Sequence, residues 1–164
     1  MSGPSSHFVA VLEPSRYEQA RTRRLLAGLG LPAVAFGRAA DLVALLARGR
    51  RFSMLVLSFG GSLDRARLEL ERVKAHAGPR TPLMLLMPLQ HVELASAVMG
   101  RPQADFLLAP FAEDELQERL RMLFLCHADR PAPRHARGRA PAGGALPPCP
   151  APGRVPEDSR PMAS

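Results

Sequence analysis

Ser58 and Glu13 stand where chemistry is most often done in a folded chain, each just after a short apolar run. The stretch Phe52-Ser53-Met54-Leu55-Val56-Leu57-Ser58-Phe59-Gly60-Gly61 reads as a strand covered on both faces. In open parallel sheets, ligands and reactive groups collect just past the carboxyl ends of such strands. A serine nucleophile on a sharp strand-to-helix turn wants the pattern Gly-x-Ser-x-Gly. Gly60 supplies the second glycine, but the bulky Val56 occupies the place of the first. A serine that simply satisfies its own turn is the simpler account of Ser58. Glu13 is a single carboxylate, either a metal ligand or a residue that caps the next helix or faces water. His7, His76, His91, His127 and His135 are dispersed without ligand spacing, and Cys126 and Cys149 have no zinc-type neighbours. No Gly-x-Gly-x-x-Gly or P-loop follows the first apolar run. The residues themselves therefore name no catalytic group, no metal site and no cofactor.

The elements that must position these residues alternate along the chain. Phe8 to Leu12 is a first buried strand, closed by Glu13-Pro14-Ser15. Ser15 is placed to cap the following helix, with Glu18 three residues on as its capping-box partner. Gly28 and Gly30 stop that helix. Leu31 to Phe36 is a second strand, whose Pro32 suits an edge position. A short helix over Asp41 to Ala47 leads into the central strand. Leu63, Ala66, Leu70, Val73 and Ala77 share one face of a helix whose charged residues form a solvated face. Pro82 to Met87 is a fourth buried strand, Val92 to Met99 an Ala-rich helix, Ala104 to Leu108 a fifth strand, and Glu113 to Leu125 the last helix. Strand and helix alternate five times, which predicts an α/β three-layer domain with right-handed crossovers.

The chain has 164 residues, room for one domain and an extension. Residues 1–6 are a flexible start, 7–126 the domain and 127–164 a tail. Nine of the 17 prolines fall in that tail among Arg, Ala and Gly, a composition expected to be disordered. The net charge of +7 is spread over both parts, with 16 Lys+Arg against 12 Asp+Glu up to Cys126 and six Arg against three acids beyond it. No apolar run approaches the roughly 20 residues that span a bilayer, and no signal peptide opens the chain. A cytoplasmic protein without membrane contact is expected.

Five βα units, with Ala109-Pro110-Phe111 after the fifth strand and Glu115-Leu116 in the last helix, resemble the receiver domain of bacterial two-component response regulators. The resemblance covers Phe8 to about Leu125. Its most specific part is Asp105 to Arg119, which is similar to the closure of winged-helix transcription regulators. It implies a flavodoxin-like, doubly wound five-stranded parallel sheet of order 2-1-3-4-5 and a cis peptide before Pro110.

The family's chemistry is phosphorylation of an aspartate with the help of Mg²⁺, a phosphorelay step that needs hard oxygen ligands and positive groups around the transferred phosphoryl. Carried over position by position, the acidic pair after strand one becomes Leu12 and Glu13. The acceptor aspartate becomes Ser58, and the hydroxyl after strand four becomes Met87. The small residue that follows it becomes Pro88, and the lysine after strand five becomes Ala109. The resemblance thus implies a degenerate, pseudo-receiver site closed to ordinary phosphotransfer.

The family's signalling face is better kept. Phe106 matches its switch aromatic, Phe111 follows the proline, and Asp105, Glu115 and Arg119 match charged positions through which winged-helix members dimerise. That face is built from the fourth helix, fifth strand and fifth helix. Arg119 and Asp105 are expected to pair across a symmetric interface, or to be ordinary surface charges.

The expectation is a non-enzymatic, phosphorylation-independent regulatory or dimerisation module of a transcription regulator, working as a homodimer or on another regulatory protein. No output domain is legible after the fifth unit, so DNA is reached only indirectly. Two other readings stand beside it. Six arginines in the tail could attract nucleic-acid phosphates without sequence preference. A small enzyme on the same scaffold would rest on Ser58 and Glu13 alone.

Overall fold

The computed structural model describes residues 8–128, and the expectations for residues 1–7 and for most of the tail lie outside it. The described chain runs β1 (Val9–Leu12), α1 (Arg16–Gly28), β2 (Ala33–Phe36), α2 (Ala39–Ala47), β3 (Met54–Ser58) and α3 (Leu63–Ala77). It continues through β4 (Leu83–Pro88), a 3₁₀ segment (Leu89–Ala97), β5 (Ala104–Ala109) and α4 (Glu113–Ala128). All strand pairs are parallel, in the order β2-β1-β3-β4-β5. That is the order implied by the receiver resemblance.

Alternation along each strand divides the core into two layers. Ala10, Leu12, Leu55, Leu57, Leu83, Leu85 and Met87 face one way, onto Leu42 and Leu46 of α2, Leu70 and Val73 of α3, and Leu94 and Val98 around the 3₁₀ segment. Val9, Val11, Met54, Val56, Met84, Leu86 and Leu107 face the other, onto Leu26 of α1 and Leu116, Leu120 and Leu123 of α4. A strand buried on both faces must be apolar at every position, which is why β1 and β3 carry no clean alternation. Each fully buried Leu in these layers is worth about 1.5–3 kcal/mol of transfer free energy.

Two local expectations need correction. The segment after β4 is 3₁₀ over Leu89–Ala97, where an α-helix over Val92 to Met99 was expected. Pro88 begins it without a side-chain cap, Val92 is β-branched, and the Ser96 hydroxyl donates to the Glu93 carbonyl at 2.7 Å. Such local bonds compete with the regular helical ladder. Ser15 does cap α1, its Oγ accepting from Glu18 N–H at 3.4 Å. The reciprocal carboxylate, however, is Glu13, whose Oε1 accepts from Ser15 N–H at 2.8 Å, while the Glu18 side chain turns to Arg21.

Strand limits move by a residue or two: Pro88 closes β4 and Ala109 closes β5. No helix among the described residues is long and apolar enough to cross a membrane.

Candidate functional site

The strand ends bring together the residues singled out in the sequence. Leu12 closes β1 and is buried, 2% exposed, in the layer that faces α2 and α3. Glu13 follows it, anchored by its N–H on the Phe36 carbonyl at 2.9 Å. Its carboxylate is committed to Ser15 N–H, and its own carbonyl accepts from Gln19 Nε2 at 2.6 Å. Both bonds hold the β1–α1 turn, so Glu13 serves the entrance of α1. Ser58 closes β3, half-buried, and its hydroxyl makes no hydrogen bond among the described residues. Met87 on β4 is 2% exposed and fills the same core layer as Leu12. Pro88 is half-buried beyond it, and Ala109 ends β5 in solvent, joined to Pro110 by a cis peptide.

This donor set does not fit a hard dication. One carboxylate is present, already bonded to a backbone N–H, and its neighbours Leu12, Met87 and Ala109 offer only hydrocarbon or thioether groups. Among the described residues, no group of three or more His, Cys, Asp or Glu side chains is placed to hold a metal ion.

Ser58 opens instead onto a cleft of about 310 Å³ on the β2 side of the strand ends. Gly60 and Gly61 form its rim on one side, and Gly37 and Arg38 on the other, with Arg65 and Glu69 reaching over from α3. Gly61 has φ +82°, so the turn after β3 needs a residue without a side chain there. Arg65 Nε pairs with Glu69 Oε1 at 3.1 Å, which leaves the cleft both a cation and an anion.

His91 was not legible as part of this region. It is 3% exposed in the 3₁₀ segment, and its Nε2 lies 3.1 Å from the Gly61 carbonyl. A carbonyl only accepts, so Nε2 carries the hydrogen, and Nδ1 is buried without a hydrogen-bond partner among the described residues. The ring thereby ties the segment after β4 to the turn after Ser58. No spacing signal in the sequence announces such a long-range side-chain-to-backbone bond.

The charged residues expected on the signalling face form one cluster within a single chain. Arg119 Nη1 donates to both carboxylate oxygens of Asp105, at 3.1 Å each, and Arg119 Nε lies 3.7 Å from Glu115 Oε1. Asp105 Oδ1 also accepts from Phe106 N–H at 2.8 Å. Phe106 packs its half-buried ring on the core. Leu89, Val92 and Met99 lie exposed in and just after the 3₁₀ segment, and Met122 is exposed on α4.

Phe111 packs on the other layer, under Arg21, whose guanidinium carbon is 5.8 Å from the ring centroid. Arg21 Nε donates to Glu113 Oε1 at 2.8 Å, fastening α1 to the start of α4. That hydrogen bond, with Glu18 adding to it, raises the Arg21 guanidinium above its ordinary range.

No family model and no curated protein matches the sequence. Solved structures do match the fold. A response regulator receiver protein from Sinorhizobium medicae aligns over 74% of this chain and 97% of its own, with a TM-score of 0.56 at 17% identity. A response regulator from Thermotoga maritima aligns over 73% and 98%, with a TM-score of 0.59 at 19% identity. Full-length FixJ from B. japonicum aligns over 75% of this chain with a TM-score of 0.60 at 23% identity, and the chain spans 60% of its length. The chain has the receiver-domain fold.

Proposed function

We propose that the domain is a receiver-type regulatory module that works without phosphorylation, through contacts of its surface with a second copy or another regulatory protein. The observation that carries this reading is the content of the strand ends. A phosphoryl acceptor of the receiver type needs a carboxylate at the end of β3, and Ser58 stands there with a neutral hydroxyl. Met87 and Ala109 offer nothing to hold phosphoryl oxygens, and Pro88 has no N–H to donate. Glu13 is engaged in capping α1. Regulation then passes through the surface formed by the 3₁₀ segment, β5 and α4, which carries the exposed Met122 on α4, the exposed Leu89, Val92 and Met99 in and just after the 3₁₀ segment, and the Asp105–Arg119 pair.

The reading is tested by incubating the full chain with Mg²⁺ and acetyl phosphate and following its intact mass. An unchanged mass supports it. A phosphoryl adduct lost on Ser58→Ala would overturn it. Light scattering on the same chain, with and without Arg119→Glu, reports self-association. A dimer dispersed by that substitution places the second copy on this face, and a monomer in both samples directs the surface to a different protein.

A further inference from the structure

The two edges of the sheet are finished differently. On β2, Val9 N–H bonds to the Pro32 carbonyl and Glu13 N–H to the Phe36 carbonyl, each at 2.9 Å, with Val9 opposite Ala33. In a parallel ladder this register commits the peptide groups of residues 32, 34 and 36 to β1 and turns those of Ala33 and Ala35 outward. Neither outward N–H has a hydrogen-bond partner among the described residues. On β5 the outward N–H groups belong to Ala104, Phe106 and Leu108, and the chain closes most of that edge itself. Ala104 N–H donates to the Arg101 carbonyl at 3.1 Å and Phe106 N–H to Asp105 Oδ1 at 2.8 Å. An unpaired row of strand donors and acceptors is a template for another strand.

Beside the open edge, between α1 and β2, lies a shallow cleft of about 500 Å³. Ala20, Ala27, Leu31 and Ala33 give it a low apolar floor, and Arg23 and Arg24 flank it. Both arginines are exposed and make no ion pair among the described residues, unlike Arg21 on the same helix. The edge side chains at Ala33 and Ala35 are methyl groups, so a backbone can approach closely. A second copy of this chain is disfavoured as occupant, because a two-fold pairing of β2 edges would set Arg23 and Arg24 near their own counterparts. The same charges favour carboxylates.

We propose that the β2 edge takes up an extended acidic peptide segment of a partner protein as an added strand. Its backbone would bond to the N–H and C=O groups of Ala33 and Ala35, and its Asp or Glu side chains would lie against Arg23 and Arg24. Main-chain bonds supply the pairing and the arginines the selection. The inference does not depend on whether the strand ends accept phosphate.

The test uses the full chain labelled with ¹⁵N and a capped hexapeptide of alternating Thr and Glu, with its Thr/Lys counterpart as control. The expected result is a shift of the Ala33 and Ala35 amide signals and slower solvent exchange at both with the Glu peptide alone. Replacing Arg23 and Arg24 together by Glu should weaken that peptide by about tenfold or more. Ala35→Pro removes one outward donor without touching the ladder to β1 and should abolish the protection. Equal response to the Lys peptide, shifts centred elsewhere, or no response at all would overturn the proposal. So would protection of Ala33 and Ala35 that grows with protein concentration in the absence of peptide, which would identify a second copy as the occupant.

Discussion

Asp105 holds two partners at once, and removing it separates their contributions. Its carboxylate accepts two contacts from Arg119 Nη1 at 3.1 Å and the outward Phe106 N–H at 2.8 Å. The side chains of Arg119 and Asp105 are 40% and 28% exposed, so the ion pair is screened and belongs near the top of the surface range, about 1 kcal/mol. The Phe106 hydrogen bond adds about 1 kcal/mol more, since its loss leaves a half-buried donor to water alone. Asp105→Ala should therefore lower stability by about 2 kcal/mol. Asp105→Asn, which keeps an acceptor for Phe106 N–H but loses the charge, should cost about half as much. The assay is urea unfolding of each variant, of Arg119→Ala and of the doubles, read as a change in midpoint at constant slope. The cycle between positions 105 and 119 should give a coupling of about 0.5–1 kcal/mol. Because the pair lies within one chain, this coupling should be the same at about 2 µM and about 200 µM protein. A coupling that appears only in the concentrated sample would refute the reasoning and return the pair to an interface between copies.

Three further outcomes follow from the same geometry. Leu55→Ala and Leu85→Ala, both at fully buried positions, should each cost about 2–5 kcal/mol in urea unfolding, and a loss under 1 kcal/mol would contradict their place in the core. Side-chain ¹⁵N shifts of His91 should report a hydrogen on Nε2, and a bare Nε2 would contradict the contact with Gly61. Arg21 has its pKa raised in the fold, so its contribution is complete below the ordinary arginine pKa and is lost only above it. The stability difference between the parent and Arg21→Gln should therefore be equal at about pH 7 and about pH 9, and a difference that vanished on raising the pH would contradict this sign.

The fold was legible because its signals are repeated and local. The runs ending at Leu12, Leu57 and Met87 are apolar without alternation, and runs this short, bounded by Pro and Gly, suit strands covered on both faces. The cap at Ser15 and the stripe Ala66, Leu70, Val73 and Ala77 on α3 were equally plain. The 3₁₀ segment was not, because Leu89–Ala97 has helical spacing in its buried residues but a weak start at Pro88 and a competing Ser96 hydroxyl. Ser58 and Glu13 drew notice because each follows an apolar run, and Leu12, Met87, Pro88 and Ala109 because the receiver resemblance implies those positions. Asp105 and Arg119 were legible as matching charges, either across an interface between copies or on one surface, and the structure pairs them within one chain, since residue types reveal that two charges match and not which copy supplies them. His91 and Arg21 act across long sequence separations through a carbonyl and an aromatic face, and neither contact leaves a pattern in the sequence.

The strand order has a consequence for how the protein is made. β1 lies between β2 and β3, and its four residues are 0–2% exposed only when both neighbours and both helical layers are in place. On the ribosome, β1 and β2 emerge well before Ser58, so Val9 to Leu12 waits with one edge and two greasy faces uncovered. At ordinary elongation rates that wait lasts on the order of several seconds, long compared with collapse of a chain this size. The nascent chain is thus expected to lean on a holding chaperone until β3 arrives. Synonymous codons that slow translation between Phe36 and Met54 should lower soluble yield without altering the finished molecule.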